Sequence, residues 1–187
     1  MYRYAQSASS VMMKSDLLAT PLTWYEGFAK FYDGDVASAE PLFENATRQN
    51  PFHLQAWNDL GTCYEQRHLY ADAISSYNQA MNINPLYSNT ILNLTAAYFN
   101  SGKFDSAYTT ILKYKGNVLY GTYQKFLLAV LKEKYKRYTG SKLNPSKDTI
   151  PVKWDDKFFF KSHDLSLKRN IPIESAFDSL SKRSSEL

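Results

Sequence analysis

The chain has 187 residues, 44% of them hydrophobic, enough for one domain with a packed core plus a tail. A single cysteine, Cys63, excludes an internal disulfide, and no apolar run approaches the ~18 residues a membrane-spanning helix needs. The net charge of +4 is uneven: residues 1–131 hold 9 Lys and Arg against 10 Asp and Glu, and residues 132–187 hold 13 against 8.

The first 30 residues lack the apolar stretch of a secretory signal. Among them Tyr4, Ala8, Val11, Met12 and Leu18 recur at helical spacing ahead of Pro21, which predicts a capping helix within residues 1–20. Trp24 and Phe31 mark a following helix, Asp33-Gly34 a turn, and Ala39, Phe43 and Ala46 a second helix. Asn50-Pro51 stops that helix, because proline disfavours helical geometry in the residue before it. Pro41 falls inside the same helix, removes a hydrogen bond and predicts a kink.

Residues 57–85 repeat this plan more regularly, with Trp57, Leu60, Gly61 and Tyr64, then Ala73, Tyr77, Ala80 and Pro85. One 34-residue period later stand Leu94, Tyr98 and Ala107, with Ser101-Gly102 as the turn. The small residues let helix backbones approach, and Trp57, Tyr64 and Tyr77 fill the space between helices. A long amphipathic stretch over 119–138 presents Phe126, Leu127, Val130 and Leu131 on one face and ends near Thr139-Gly140-Ser141. Beyond it Pro145, Pro151 and Pro172 with scattered charge predict a basic, mostly irregular tail over 141–187. A short helix from Ile173 to Leu180 is the exception. Trp154 and Phe158–Phe160 form an apolar knot there that must dock: in a groove, on the convex face, or against the last helix.

The order W-x2-L-G-x2-Y, then Ala, an aromatic, Ala and Pro, resembles the tetratricopeptide repeat. The resemblance covers about residues 22–118 and implies an all-α fold, an α-α superhelix of three helix-turn-helix repeats occupying 21–140 with its cap. Trp24 and Phe31 are spaced like Trp57 and Tyr64 but offset by one residue, for which a longer turn at Asp33-Gly34 would account. In this family the first helix of each repeat forms most of the inner surface. By phase that surface takes Tyr25, Ala29 and Tyr32, then Gln55, Asn58, Thr62 and Glu65. Asn89, Leu92, Ala96 and Phe99 follow, and the last helix adds Tyr123 and Phe126. Amides beside rigid aromatics suit an extended peptide, although Phe99 and Phe126 equally suit the core. The resemblance thus implies a non-enzymatic protein- or peptide-binding scaffold. It does not extend to the family's carboxylate clamp: the matching positions are Tyr25, Ala29, Asp59, Asn89 and Asn93, none a cation.

No phosphate loop, dinucleotide fingerprint, H-E-x-x-H or paired C-x-x-C occurs, so no catalytic residue, cofactor or metal is expected. His53, His68 and His163 are dispersed; Glu65 and His68 make half a metal site at most, and Asp155-Asp156 with Asp164 read as solvated charge. Cys63 lies on an apolar face as a structural thiol. Asn45-Ala46-Thr47 and Asn93-Leu94-Thr95 match the glycosylation acceptor but fall within helices. Lys132–Arg137 alternates with Tyr135 and Tyr138, yet interspersed acids fit a solvated cap better than a nucleic-acid surface.

A narrower resemblance joins NPFHLQAWNDLGTCYE and NPLYSNTILNLTAAYFNSGKFDSAY to the repeat tails of bacterial O-antigen ligase and polymerase membrane proteins. It implies the alternative of a soluble periplasmic accessory domain of a membrane glycan-assembly protein, in which Met1 is not the natural start. With Met1 as the natural start, the expectation is cytoplasmic. No segment of the chain is expected to insert into a membrane.

Overall fold

The computed structural model describes residues 20–116, 121–142 and 156–184. Among them nine helices follow in order: α1 (Leu22–Tyr32), α2 (Val36–Gln49), α3 (Leu54–Gln66), α4 (Tyr70–Ile83), α5 (Ser88–Asn100), α6 (Phe104–Ile111), α7 (Gly121–Lys142), α8 (Asp156–Arg169) and α9 (Ile173–Ser184). Each packs on the next, and α3 also touches α5, which touches α7. This is the α-α superhelix expected.

The turn chemistry sets the period. Gly34, His68 and Gly102 stand one 34-residue interval apart, and all three have left-handed backbones, with φ of 83°, 60° and 74°. Each ends a first helix in the same way. The residue's own N–H donates to the carbonyl three back, and the next N–H to the carbonyl five back: Gly34 and Asp35 to Phe31 and Lys30, His68 and Leu69 to Glu65 and Tyr64, Gly102 and Lys103 to Phe99 and Tyr98. This closes orphan carbonyls at the helix end. Glycine reaches that conformation without a Cβ clash; His68 does not, and its ring contacts Tyr70 instead, Nδ1 lying 2.9 Å from the hydroxyl. The second helices stop at Asn50 and Asn84, whose extended backbones carry side-chain oxygens that accept from Phe52 and Leu86 N–H, each at 3.0 Å.

The turn at Asp33-Gly34 is therefore no longer than its counterparts, contrary to the expectation. Gly27 and Gly61 lie one period apart under rings that are also one period apart. A Cβ on Gly27 would meet Phe43 at 3.0 Å, and one on Gly61 would meet Tyr77 at 2.6 Å. In this register Trp24 is the counterpart of Asn58 and Phe31 of Glu65. The aromatic pair of the first repeat has moved one residue around the helix, toward the second repeat. Trp57 differs too: it is half-buried at the edge of the small cluster formed by Ala39, Phe43, Leu60 and Cys63, with Nε1 donating to Pro51 O at 2.9 Å. Tyr77, at 0% exposure, is the aromatic that fills the space between helices. Pro41 lies exposed inside α2, which runs uninterrupted past it.

The mostly irregular tail expected after residue 140 is, where described, a helical hairpin, and its second helix extends past Leu180. Phe158, Phe159, Ser162, His163 and Ser166 form one buried face of α8. Two of those positions are serines whose hydroxyls bond internally, Ser162 to Phe158 O at 2.9 Å and Ser166 to Ile171 O at 2.7 Å, so the helical period is hidden from a count of apolar residues. The hairpin docks beyond the last repeat, against the last helix of the solenoid. Tyr135 of α7 stands with its ring 5.5, 5.7 and 5.1 Å from those of Phe158, Phe159 and Phe177. Beside this cluster the Lys134 ammonium bridges Asp105 of α6 and Glu174 of α9. Residues 1–19 of the expected capping helix over 1–20, and Pro145, Pro151, Trp154 and Asp155, lie outside the described residues, and Thr20 is not helical.

Candidate peptide-binding groove

The first helices α1, α3 and α5 lie side by side, and a chain of polar contacts crosses all three. Trp24 Nε1 donates to Asp59 Oδ2 at 2.8 Å. Asp59 Oδ1 accepts from the Asn58 amide at 3.2 Å. The Asn58 oxygen in turn accepts from Thr90 Oγ1 at 2.9 Å and from Asn93 Nδ2 at 3.2 Å. One turn further along α3, the Tyr77 hydroxyl donates to Glu65 at 3.0 Å and lies 3.2 Å from Thr62 Oγ1, while Asn100 Nδ2 donates to the other Glu65 oxygen at 3.1 Å. The bonds of Trp24 to Asp59, of Thr90 and Asn93 to Asn58, and of Asn100 to Glu65 join neighbouring repeats, so the polar floor also fixes one repeat against the next.

Electrostatically this surface is acidic. Helices α3 and α5 contain no Lys or Arg, and α1 contains only Lys30, in its last turn. Burial pushes the carboxyl of Asp59 above its ordinary range, against the opposing hydrogen bonds from Trp24 and Asn58. Burial does the same to Glu65, against the bonds from Tyr77 and Asn100.

The sequence-predicted residues divide into three groups. Tyr25, Tyr32, Ala29, Gln55 and Asn89 are exposed, with Tyr32 at 84%. Thr62, Glu65, Ala96, Phe99 and Phe126 are half-buried, Phe99 against Phe104 at 5.2 Å between ring centroids. Asn58, Leu92 and Tyr123 are buried. Asn58 is the hub of the inter-repeat network, Leu92 belongs to the core, and Tyr123 stacks on Tyr114 at 4.8 Å. Asp59 and Asn93, two of the positions matched above to the clamp, share this surface, and so do Trp24, Phe28 and Asn100, which were not expected there. Aligning Gly27 with Gly61 finds Trp24 and Phe28, since that register pairs Trp24 with Asn58 and Phe28 with Thr62.

The Cys63 thiol is pushed up to about 12 by burial and by the nearby Glu40 and Asp59 charges, so at neutral pH it is not a nucleophile. Among the described residues no three His, Cys, Asp or Glu side chains converge as metal ligands. None of their helices is long and apolar enough to cross a membrane.

Residues 26–86 match the family model described as tetratricopeptide repeat. Residues 26–86 carry tetratricopeptide repeats. Over 78 residues, 42% of this chain and 13% of the relative, it is 31% identical to a peroxisomal targeting signal receptor of Yarrowia lipolytica. Over 77 residues, 41% of this chain and 16% of the relative, it is 27% identical to the BBSome complex member BBS4 homolog of Drosophila melanogaster. The matched tetratricopeptide stretch is thus a small part of either relative. Among solved structures it resembles the Sgt2 TPR domain from Aspergillus fumigatus, with a TM-score of 0.60, 18% identity, and coverage of 72% of this chain and 91% of that one. It also resembles MamA MSR-1 C2, with a TM-score of 0.55, 21% identity, and coverage of 97% and 89%. At these identities the likeness is one of fold. These matches lend no support to the resemblance to O-antigen ligase tails.

Proposed function

We propose that this chain is a non-enzymatic scaffold whose inner surface, formed by α1, α3 and α5, binds an extended segment of a partner protein. The supporting observation is the continuous row of amides, carboxylates and aromatic rings across three helices. Asn93, Asp59 and Glu65 offer hydrogen-bonding atoms at successive steps, and Tyr25, Phe28 and Phe99 offer apolar area at little entropic cost. An extended backbone needs this alternation, because its own N–H and C=O groups leave water when it docks. The similarity of the repeat region to a peroxisomal targeting signal receptor, a protein named for recognising a signal, is in keeping with this reading.

The test is a binding measurement on the full chain with peptides selected against it from a random display library. Phe28→Ala and Asn93→Ala are expected to weaken the selected peptides, and exposed changes on second helices, such as Gln79→Ala, to leave them unaffected. The reverse pattern would move the site to the other face.

A further inference from the structure

We infer that the segment taken by this groove presents a lysine or arginine side chain, received between α1 and α3 by the Asp59 carboxylate beside the ring of Phe28. The inference rests on the groove reading above and adds the chemistry of the occupant.

Several carboxylates elsewhere among the described residues have cationic partners. Glu44 pairs with Arg48 at 3.0 Å, Glu40 with Arg67 at 2.6 Å, Asp156 with Lys132 at 2.8 Å, and Glu174 with Lys134 at 2.8 Å. The two groove carboxylates are not among them. Asp59 and Glu65 receive hydrogen bonds only from neutral donors, an indole, two amides and a phenol, and no Lys or Arg of the described residues forms an ion pair with either. Each carboxylate oxygen keeps a further lone pair for an incoming donor. Half-buried negative charge without a counter-charge is costly, and an arriving cation relieves that cost.

The second observation is aromatic. The ring of Trp24, hydrogen-bonded to Asp59, lies 5.0 Å from that of Tyr25 and 5.6 Å from that of Phe28, and Phe28 remains 49% exposed. Ring faces attract a cation through their quadrupole, and the alkyl stem of Lys or Arg covers apolar area on the way in. A carboxylate and an aromatic cluster at one place therefore suit an ammonium or guanidinium. They do not suit a segment that ends in a carboxylate.

The experiment is a selection from a random peptide display library on the full chain, followed by a double-mutant cycle on a selected peptide. The expected result is enrichment of Lys or Arg at one position. Replacing that residue by norleucine is expected to weaken binding to the wild type by at least about tenfold, and to matter little to the Asp59→Asn chain, since close charge pairs couple that strongly. If Asp59→Asn weakens the cationic and norleucine peptides equally, Asp59 acts only through structure and the inference fails. Uncharged or acidic binders that are still weakened by Phe28→Ala would overturn the inference while the groove reading stands. Binders indifferent to both Phe28→Ala and Asn93→Ala, or no binders at all, would overturn the groove reading itself.

Discussion

Trp24 Nε1 donates to Asp59 Oδ2 at 2.8 Å across 35 residues of chain, tying the first repeat to the second at the floor of the groove. Trp24→Phe keeps an aromatic ring but deletes the donor, together with part of the indole's packing area. Hydrogen bonds to charged groups contribute about 1.5–3 kcal/mol, and a half-exposed site belongs at the low end. A urea midpoint displaced by that amount is the expected outcome. An unchanged midpoint would mean the bond does not hold the repeats together.

The contact of Gly61 with Tyr77 leads to a second expectation. A Cβ on Gly61 would lie 2.6 Å from the ring of a fully buried tyrosine. Overpacking of this kind costs about 1–3 kcal/mol, so Gly61→Ala is expected to destabilise within that range. Gly27→Ala, facing Phe43 at 3.0 Å, is expected to cost less. Denaturant unfolding of both variants checks the order, and a larger loss at Gly27 would contradict the repeat alignment drawn from these contacts.

His68 holds φ of 60° where its counterparts Gly34 and Gly102 are glycines. A left-handed backbone costs a non-glycine residue about 1–2 kcal/mol, offset in His68→Gly by the greater freedom of glycine when unfolded and by the lost contact with Tyr70. The expected net is a gain of up to about 1 kcal/mol in thermal or denaturant unfolding. A loss of stability would show that the ring contact outweighs the backbone strain.

Much of this architecture was legible because the repeat is written in residues whose size or backbone freedom is decisive. Gly61, Ala73, Tyr77 and Ala80 gave the second repeat, and Ser101-Gly102 the third turn. The register of the first repeat is set by the close-packed Gly27 and not by its conspicuous aromatics, Trp24 and Phe31. Of the large side chains there, Trp24 bonds to Asp59 of the second repeat, while Phe31 lies against Phe43 of its own partner helix. Of the C-terminal hairpin only the second helix was legible, because in α8 Ser162, His163 and Ser166 occupy buried positions that hydrophobic periodicity counts as polar. Groove residues were half legible. Exposed Tyr25 and Asn89 followed from phase, whereas the burial of Asn58 depends on Thr90 and Asn93, brought to it from the next repeat.

The raised carboxyl pKa values of Asp59 and Glu65 give a pH dependence with a definite sign. Burial, the largest cause in each, makes the folded state hold its protons more tightly than the unfolded state, whose ordinary values are 3.8 and 4.5. The favourable contribution is therefore complete below those values and lost as pH rises through the folded ones. Asp59→Asn and Glu65→Gln are each expected to compare more favourably with the wild type at about pH 7 than at about pH 3.5, measured by urea unfolding at both. The opposite trend would mean that the donors around these carboxylates outweigh burial.

The central claim is that a partner segment lies across α1, α3 and α5. Hydrogen exchange of the full chain, with and without a peptide selected from a display library, tests it most directly. The account expects added protection within residues 22–32, 54–66 and 88–100 on binding, with the second helices α2 and α4 little changed. Protection confined to α2 and α4, or to the C-terminal hairpin of α8 and α9, would contradict it.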